Sequence, residues 1–109
     1  MKYVIRFSPD YNATSLWPDN ELAMATFNMP IKYNEVGLSD ALIAELKRFD
    51  NSIMGIIDWD NPGGASPLSR DERMEIYNEG KRLYQLVKKE LDDGFEVIEC
   101  LEWLNPDGE

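Results

Sequence analysis

Apolar positions follow a period of two at both ends of the chain and a helical period in the middle. In Lys2–Phe7, Tyr3, Ile5 and Phe7 share one side and Lys2, Val4 and Arg6 the other, which predicts a strand. Breakers at Pro9, Asn12, Pro18 and Asp19-Asn20 make Ser8–Asn20 a loop by this reading. Glu21–Phe27 is compatible with a short strand or a single helical turn. From Asp40 to about Asp50, Leu42, Ile43, Leu46 and Phe49 fall on one helical face. Ser39 stands before them as N-cap, with Leu38 placed to staple onto Ile43. Ser52–Leu68 reads as a long connection punctuated by Gly55, Pro62, Gly63, Gly64 and Pro67, with Ile53–Ile57 as a possible extended piece.

Ser69-Arg-Asp-Glu72 is a capping box that opens a second helix. Ile76, Leu83, Val87 and Leu91 stripe it to near Asp93, flanked by Tyr77 and Tyr84, and Gly94 is expected to stop it as a left-handed cap. Gly80 lies within that stripe, where glycine costs about 1 kcal/mol relative to alanine. Close approach of another element explains its presence. Phe95–Leu101 alternates again and predicts a final strand, with a tail from Asn105 to Glu109 expected to be loose. The order predicts one α+β domain over 1–109, in which a small sheet pairs the N- and C-terminal strands and two helices cover one face.

Charge refines the picture. The 109 residues carry 21 acids and 11 bases, a net charge of −10. Residues 1–89 hold 13 acids and all 11 bases, whereas 90–109 hold eight acids and no base. Such a field repels nucleic acids and anionic membranes and attracts basic proteins. Because Phe95, Val97, Ile98, Leu101, Trp103 and Leu104 are interleaved with these acids, the stretch reads as a folded surface.

Composition removes several chemistries. With no His, the chain lacks Ser-His-Asp and Cys-His machinery, and its single Cys100 allows neither an internal disulfide nor a cysteine metal cluster. No signal-like apolar segment or membrane-length apolar run is visible, so a cytoplasmic protein is expected. Pro62-Gly-Gly-Ala-Ser-Pro67 lacks the lysine and spacing of a phosphate loop. No basic–aromatic clustering points to nucleic acid binding.

The remaining candidates are acids and tryptophans. Asp58-Trp-Asp60 fails as a calcium loop, because Pro62 and Ser69 fall where carboxylates are needed. The Asp58/Asp60 pair leaves a magnesium-dependent enzyme as an alternative; otherwise neither a catalytic residue nor a cofactor is expected. Asp92-Asp93 lies at a helix end that normally attracts cations. Glu96 and Glu99 point to opposite faces of their strand. Trp17, Trp59 and Trp103 are assigned to loops or the terminus, where tryptophan either plugs a core rim or anchors a partner.

Ser15-Leu16-Trp17, Leu38-Ser39 followed by Leu42 and Leu46, and Gly80-Lys-Arg-Leu83 through Leu86-Val-Lys-Lys-Glu-Leu91 to Phe95-Glu-Val97 carry a further signal. Together they resemble small acidic immunity proteins of bacterial polymorphic and contact-dependent growth-inhibition toxin systems. The resemblance implies an inhibitor that binds one toxin domain, often a nuclease, and blocks its active site. The residues agree in direction, since an acidic protein complements a basic nuclease cleft. The expected partner is therefore a basic toxin, with no nucleic acid or membrane involved. The expected contact surface comprises Asp58, Trp59, Asp60, Asp92, Asp93, Glu96, Glu99, Glu102 and Trp103. The alternative is an acidic module that mimics nucleic acid or regulates an enzyme.

Overall fold

In the computed structural model, residues 2–108 are described. The first strand, β1, spans Tyr3–Phe7, and a parallel strand β3, Phe95–Glu99, pairs with it from Tyr3↔Phe95 to Phe7↔Glu99. The terminal strands therefore pair as expected, in an α+β arrangement. A third strand, β2, covers Leu16–Pro18 and lies antiparallel on the other side of β1, giving the order β2-β1-β3. This strand falls in the segment expected to be a loop, and it places Trp17 in the sheet. At the edge, the N–H that Pro18 lacks is not needed.

Side chains alternate about this sheet. Ile5 and Phe7 are fully buried beneath the helices, while Val4, Arg6, Trp17, Glu96 and Ile98 share the opposite face and keep some exposure. There the Arg6 guanidinium lies 5.9 Å from the centre of the Trp17 ring, whose Nε1 donates to the Ser8 carbonyl at 2.8 Å.

Glu21–Phe27 resolves as a helix, α1, over Glu21–Thr26. Asn20 caps it by accepting from the Ala23 N–H at 2.9 Å. The next helix, α2, spans Asp40–Met54, so Ile53 is helical rather than extended. The helical stripe continues past Asp50: Leu42, Leu46, Phe49 and Ile53 are all buried at spacings of four, three and four. Gly37, at φ +80°, turns the chain into the Ser39 cap.

The long helix α3 covers Arg70–Glu90 and opens with the expected reciprocal capping box between Ser69 and Glu72. It stops earlier and differently from the expectation. Leu91 is extended, and Gly94 has no positive φ; instead the Asp92 carboxylate accepts the Gly94 N–H at 2.8 Å and closes the turn into β3. A side chain thus performs the turn that a left-handed glycine would have made. Phe7 contacts Phe49 of α2 and Tyr84 of α3, with ring centres 6.2 and 6.1 Å apart, which seats both helices on one face of the sheet. Gly80 is where the helices and the C-terminal segment converge, since a Cβ there would lie 3.1 Å from Phe49 and 3.3 Å from Leu101.

Beyond β3 a single 3-10 turn, Glu102–Leu104, buries Leu104. Residues 105–108 are not loose: Gly108 N–H bonds the Asn105 carbonyl at 3.1 Å, and Arg70 grips Asp107 through two guanidinium nitrogens. Glu109 lies outside the described residues.

One contact links distant helix ends. Glu90, in the last turn of α3, accepts from the Ser39 N–H and the Ser39 hydroxyl, both at 2.8 Å. Its carboxylate is poorly placed for its own helix dipole and well placed for the N-terminus of α2. Ser39→Ala removes both the cap and half of this clamp, so an expected loss of about 1–2 kcal/mol should appear in urea denaturation.

Candidate functional site

The C-terminal ends of β1 and β3 point to one end of the molecule, and three aromatic side chains meet there. The loop joining β1 to β2 brings Tyr11, held by a left-handed Asn12 at φ 57° whose N–H contacts the Met54 sulfur at 3.2 Å. Asn tolerates that conformation better than most side chains. Trp59 arrives from the connection after α2, with its Nε1 donating to the Met54 carbonyl at 2.8 Å. Trp103 arrives on the 3-10 turn after β3. Tyr11 makes edge contacts with both indoles, at ring-centre distances of 5.7 Å to Trp59 and 5.8 Å to Trp103. The two indoles nonetheless remain 51% and 44% exposed.

Carboxylates flank this patch. Asp58 accepts the Asp60 N–H at 3.0 Å in a side-chain-closed turn, which leaves Asp60 exposed. Glu102 accepts the Tyr77 hydroxyl at 3.1 Å. Asp10 accepts the N–H of Tyr11 at 2.7 Å. Burial, and then the Asp10 charge, push the Tyr11 phenol above its ordinary range, with Arg73 opposing. Lys81 lies towards Glu102 and Glu99. The balance is four carboxylates, Asp10, Asp58, Asp60 and Glu102, against two cations.

The nine residues singled out in the sequence thus separate. Asp58, Trp59, Asp60, Glu102 and Trp103 gather at this end. Asp92 and Asp93 sit at the opposite end of β3, about 13 Å of strand away, with Asp92 already closing a turn. Glu96 lies on the face away from the helices. Glu99 lies on the helix-covered side at the sheet edge, 4.0 Å from Lys81 Nζ. As for Asp58 and Asp60, no group of three acidic or cysteine side chains among the described residues is arranged to hold a metal.

A second constellation escaped the sequence reading. The Asp50 carboxylate accepts from the Ser15 hydroxyl at 2.7 Å and the Tyr33 hydroxyl at 2.6 Å, and the Tyr33 oxygen accepts the Ser15 N–H at 2.8 Å. Burial raises the Asp50 carboxyl above its usual range, with the two hydroxyl donors pulling the other way. Burial and the adjacent Asp50 push the Tyr33 phenol far up. Tyr33 and Asp50 of the triad line a cleft of about 730 Å³, together with Lys32 and Lys47, while Ser15 is buried behind them. No local motif announces it, because the three residues come from β2's approach, the turn before α2 and α2 itself.

A three-stranded mixed sheet with helices packed on one face and an exposed aromatic–acidic end defines a small acidic α+β protein. Among the described residues no helix is long and apolar enough to cross a membrane. The profile of the Serratia CdiI immunity protein-like family matches residues 3–100, and the chain belongs to that family. The match spans all three strands and all three helices; Glu102 and Trp103 follow just after it. No curated protein matched the chain.

Proposed function

We propose that this protein protects the cell that makes it by binding the toxin domain of a cognate contact-dependent inhibition system in the cytoplasm and occluding its active site. Membership of the immunity family is the observation that carries this reading. The charge supports a basic, nuclease-type target: eight acids and no base occupy residues 90–109. Opposite fields accelerate encounter to about 10⁸ M⁻¹s⁻¹ or more at low salt. Speed matters when an inhibitor competes with the toxin's substrate. Inhibition by occupancy requires no catalytic group or cofactor in this chain.

The test is co-expression with the C-terminal domain encoded by the reading frame directly upstream. Survival only in the presence of this protein, with a complex that weakens as salt rises, is the expected result. Continued death despite its expression would reject the reading. Inhibition of several unrelated DNA-binding enzymes, instead of one toxin, would favour a nucleic-acid mimic.

A further inference from the structure

Folding assembles the Tyr11–Trp59–Trp103 patch from three distant segments and leaves it uncovered. Buried tryptophans are ordinary, but two indoles half open to solvent on one tyrosine form a contiguous apolar patch at a site rimmed by charge. Each indole is held by what surrounds it. Trp59 is tied to the end of α2 by its Nε1 hydrogen bond, and Trp103 follows the buried Leu101 and precedes the buried Leu104. Such pre-ordering lowers the entropy lost when a partner binds.

The rim decides which partner suits the patch. Carboxylates adjacent in the chain to half-exposed indoles favour a cation that also stacks. Guanidinium does both, being planar, weakly hydrated and able to bond a carboxylate through two nitrogens, whereas ammonium is a strongly hydrated point charge. The same rim disfavours a second copy of this end, because like charges would face each other across the interface. It also disfavours nucleic acid and anionic lipid. The cleft beside Asp50 is a weaker candidate, since its hydroxyls and carboxylate already satisfy one another and its lysines offset its acids.

We infer that Trp59 and Trp103, braced by Tyr11 and rimmed by Asp58, Asp60 and Glu102, form the anchor site for an arginine side chain of the toxin domain. The inference rests on the function proposed above and names the surface through which that function is exercised. The opposite end of β3, with Asp92 and Asp93, lies outside the anchor.

The test uses the intact protein and the upstream-encoded toxin domain, with affinity and association rate measured between about 0.05 and 0.3 M salt. Trp59→Ala and Trp103→Ala are each expected to weaken binding about 30-fold or more, the range of interface anchors. Asp58→Asn, Asp60→Asn and Glu102→Gln keep the local acceptor geometry; combined, they should slow association about tenfold and flatten its salt dependence. Asp92→Asn with Asp93→Asn should stay within about twofold of wild type, because such distant charges are screened. An arginine-to-lysine scan of the toxin domain should find a position whose effect disappears in the Trp59→Ala background. Thermal melts check that the variants remain folded, and the isosteric acid variants retain the aromatic patch if a tryptophan variant does not. If wild type binds and rescues while both tryptophan variants bind equally well, the anchor is overturned and the proposed function stands. If no toxin arginine couples to Trp59, the assignment of an arginine is overturned. If wild type itself neither binds nor rescues, the functional reading falls and the anchor falls with it.

Discussion

Replacing Gly80 by valine is expected to destabilise the protein by about 3 kcal/mol, the upper part of the usual range for overpacking a core. The reason lies in what faces this turn of α3. A Cβ at position 80 would already sit 3.1 Å from Phe49 Cζ and 3.3 Å from Leu101 Cδ2, closer than ordinary carbon contacts. Phe49 and Leu101 are 2% and 0% exposed, so neither can swing into solvent to make room. Two further methyl carbons would have to separate α2 from α3 or lift the C-terminal segment off both. Alanine is the informative contrast. It recovers about 1 kcal/mol of helix propensity while forcing only a small shift of the two neighbours. Gly80→Ala is therefore expected to lie within about 1 kcal/mol of wild type. Urea denaturation of the two variants checks the pair of values, and a valine variant as stable as wild type would refute the close packing.

The Ser15–Tyr33–Asp50 triad is expected to be nearly as sensitive. Asp50→Ala leaves the Ser15 and Tyr33 hydroxyls without their acceptor in a place where Ser15 is 0% and Tyr33 4% exposed. Buried donors left unpaired cost about 1–3 kcal/mol, and here two are affected, so a loss of about 3 kcal/mol is expected. The triad also has a pH signature. Burial raises the Asp50 carboxyl in the folded state above its value in the unfolded chain. Between those two values the folded protein holds a proton that the unfolded chain has released. The contribution of this group to stability is accordingly full below the unfolded value and declines as pH rises through the folded one. Asp50→Asn cannot titrate, so its stability deficit relative to wild type should be larger near pH 4 than near pH 7. Denaturation at both pH values measures it, and a deficit that grows with pH would reverse the assignment.

These two sites show where long-range packing decides. Gly80 could be read in advance as a point of close approach, because a glycine inside an apolar helical stripe calls for a neighbour. Which neighbours they are, Phe49 and Leu101, depends on how α2 and the C-terminal segment land on α3. The triad offered no such hint: Ser15, Tyr33 and Asp50 are unremarkable residues in three separate segments until the fold joins them.

The candidate surface divides along the same line. Tryptophan and carboxylate types were enough to pick out Asp58, Trp59, Asp60, Glu102 and Trp103. Only the tertiary arrangement brings Trp59 and Trp103 onto Tyr11, which had drawn no notice in the sequence, and sends Asp92, Asp93, Glu96 and Glu99 elsewhere. A list of acidic positions carries no distances, and strand register and loop paths supply them.

Elements governed by neighbours within a turn or two were readable from the chain alone. The Ser39 cap, the Ser69–Glu72 box, the Leu42–Leu46–Phe49 stripe and the alternation in β1 and β3 all depend on residues at most a few positions apart. The acidic bias of the last twenty residues is likewise a property of composition. β2 was different, because three residues ending in Pro18 have no strand signal of their own and become a strand only by pairing with β1. The turn at Gly94 was different too, since the Asp92 side chain took over the role assigned to glycine. Local periodicity and capping are encoded over about four residues, whereas contacts between distant segments exist only once the sheet and helices have packed.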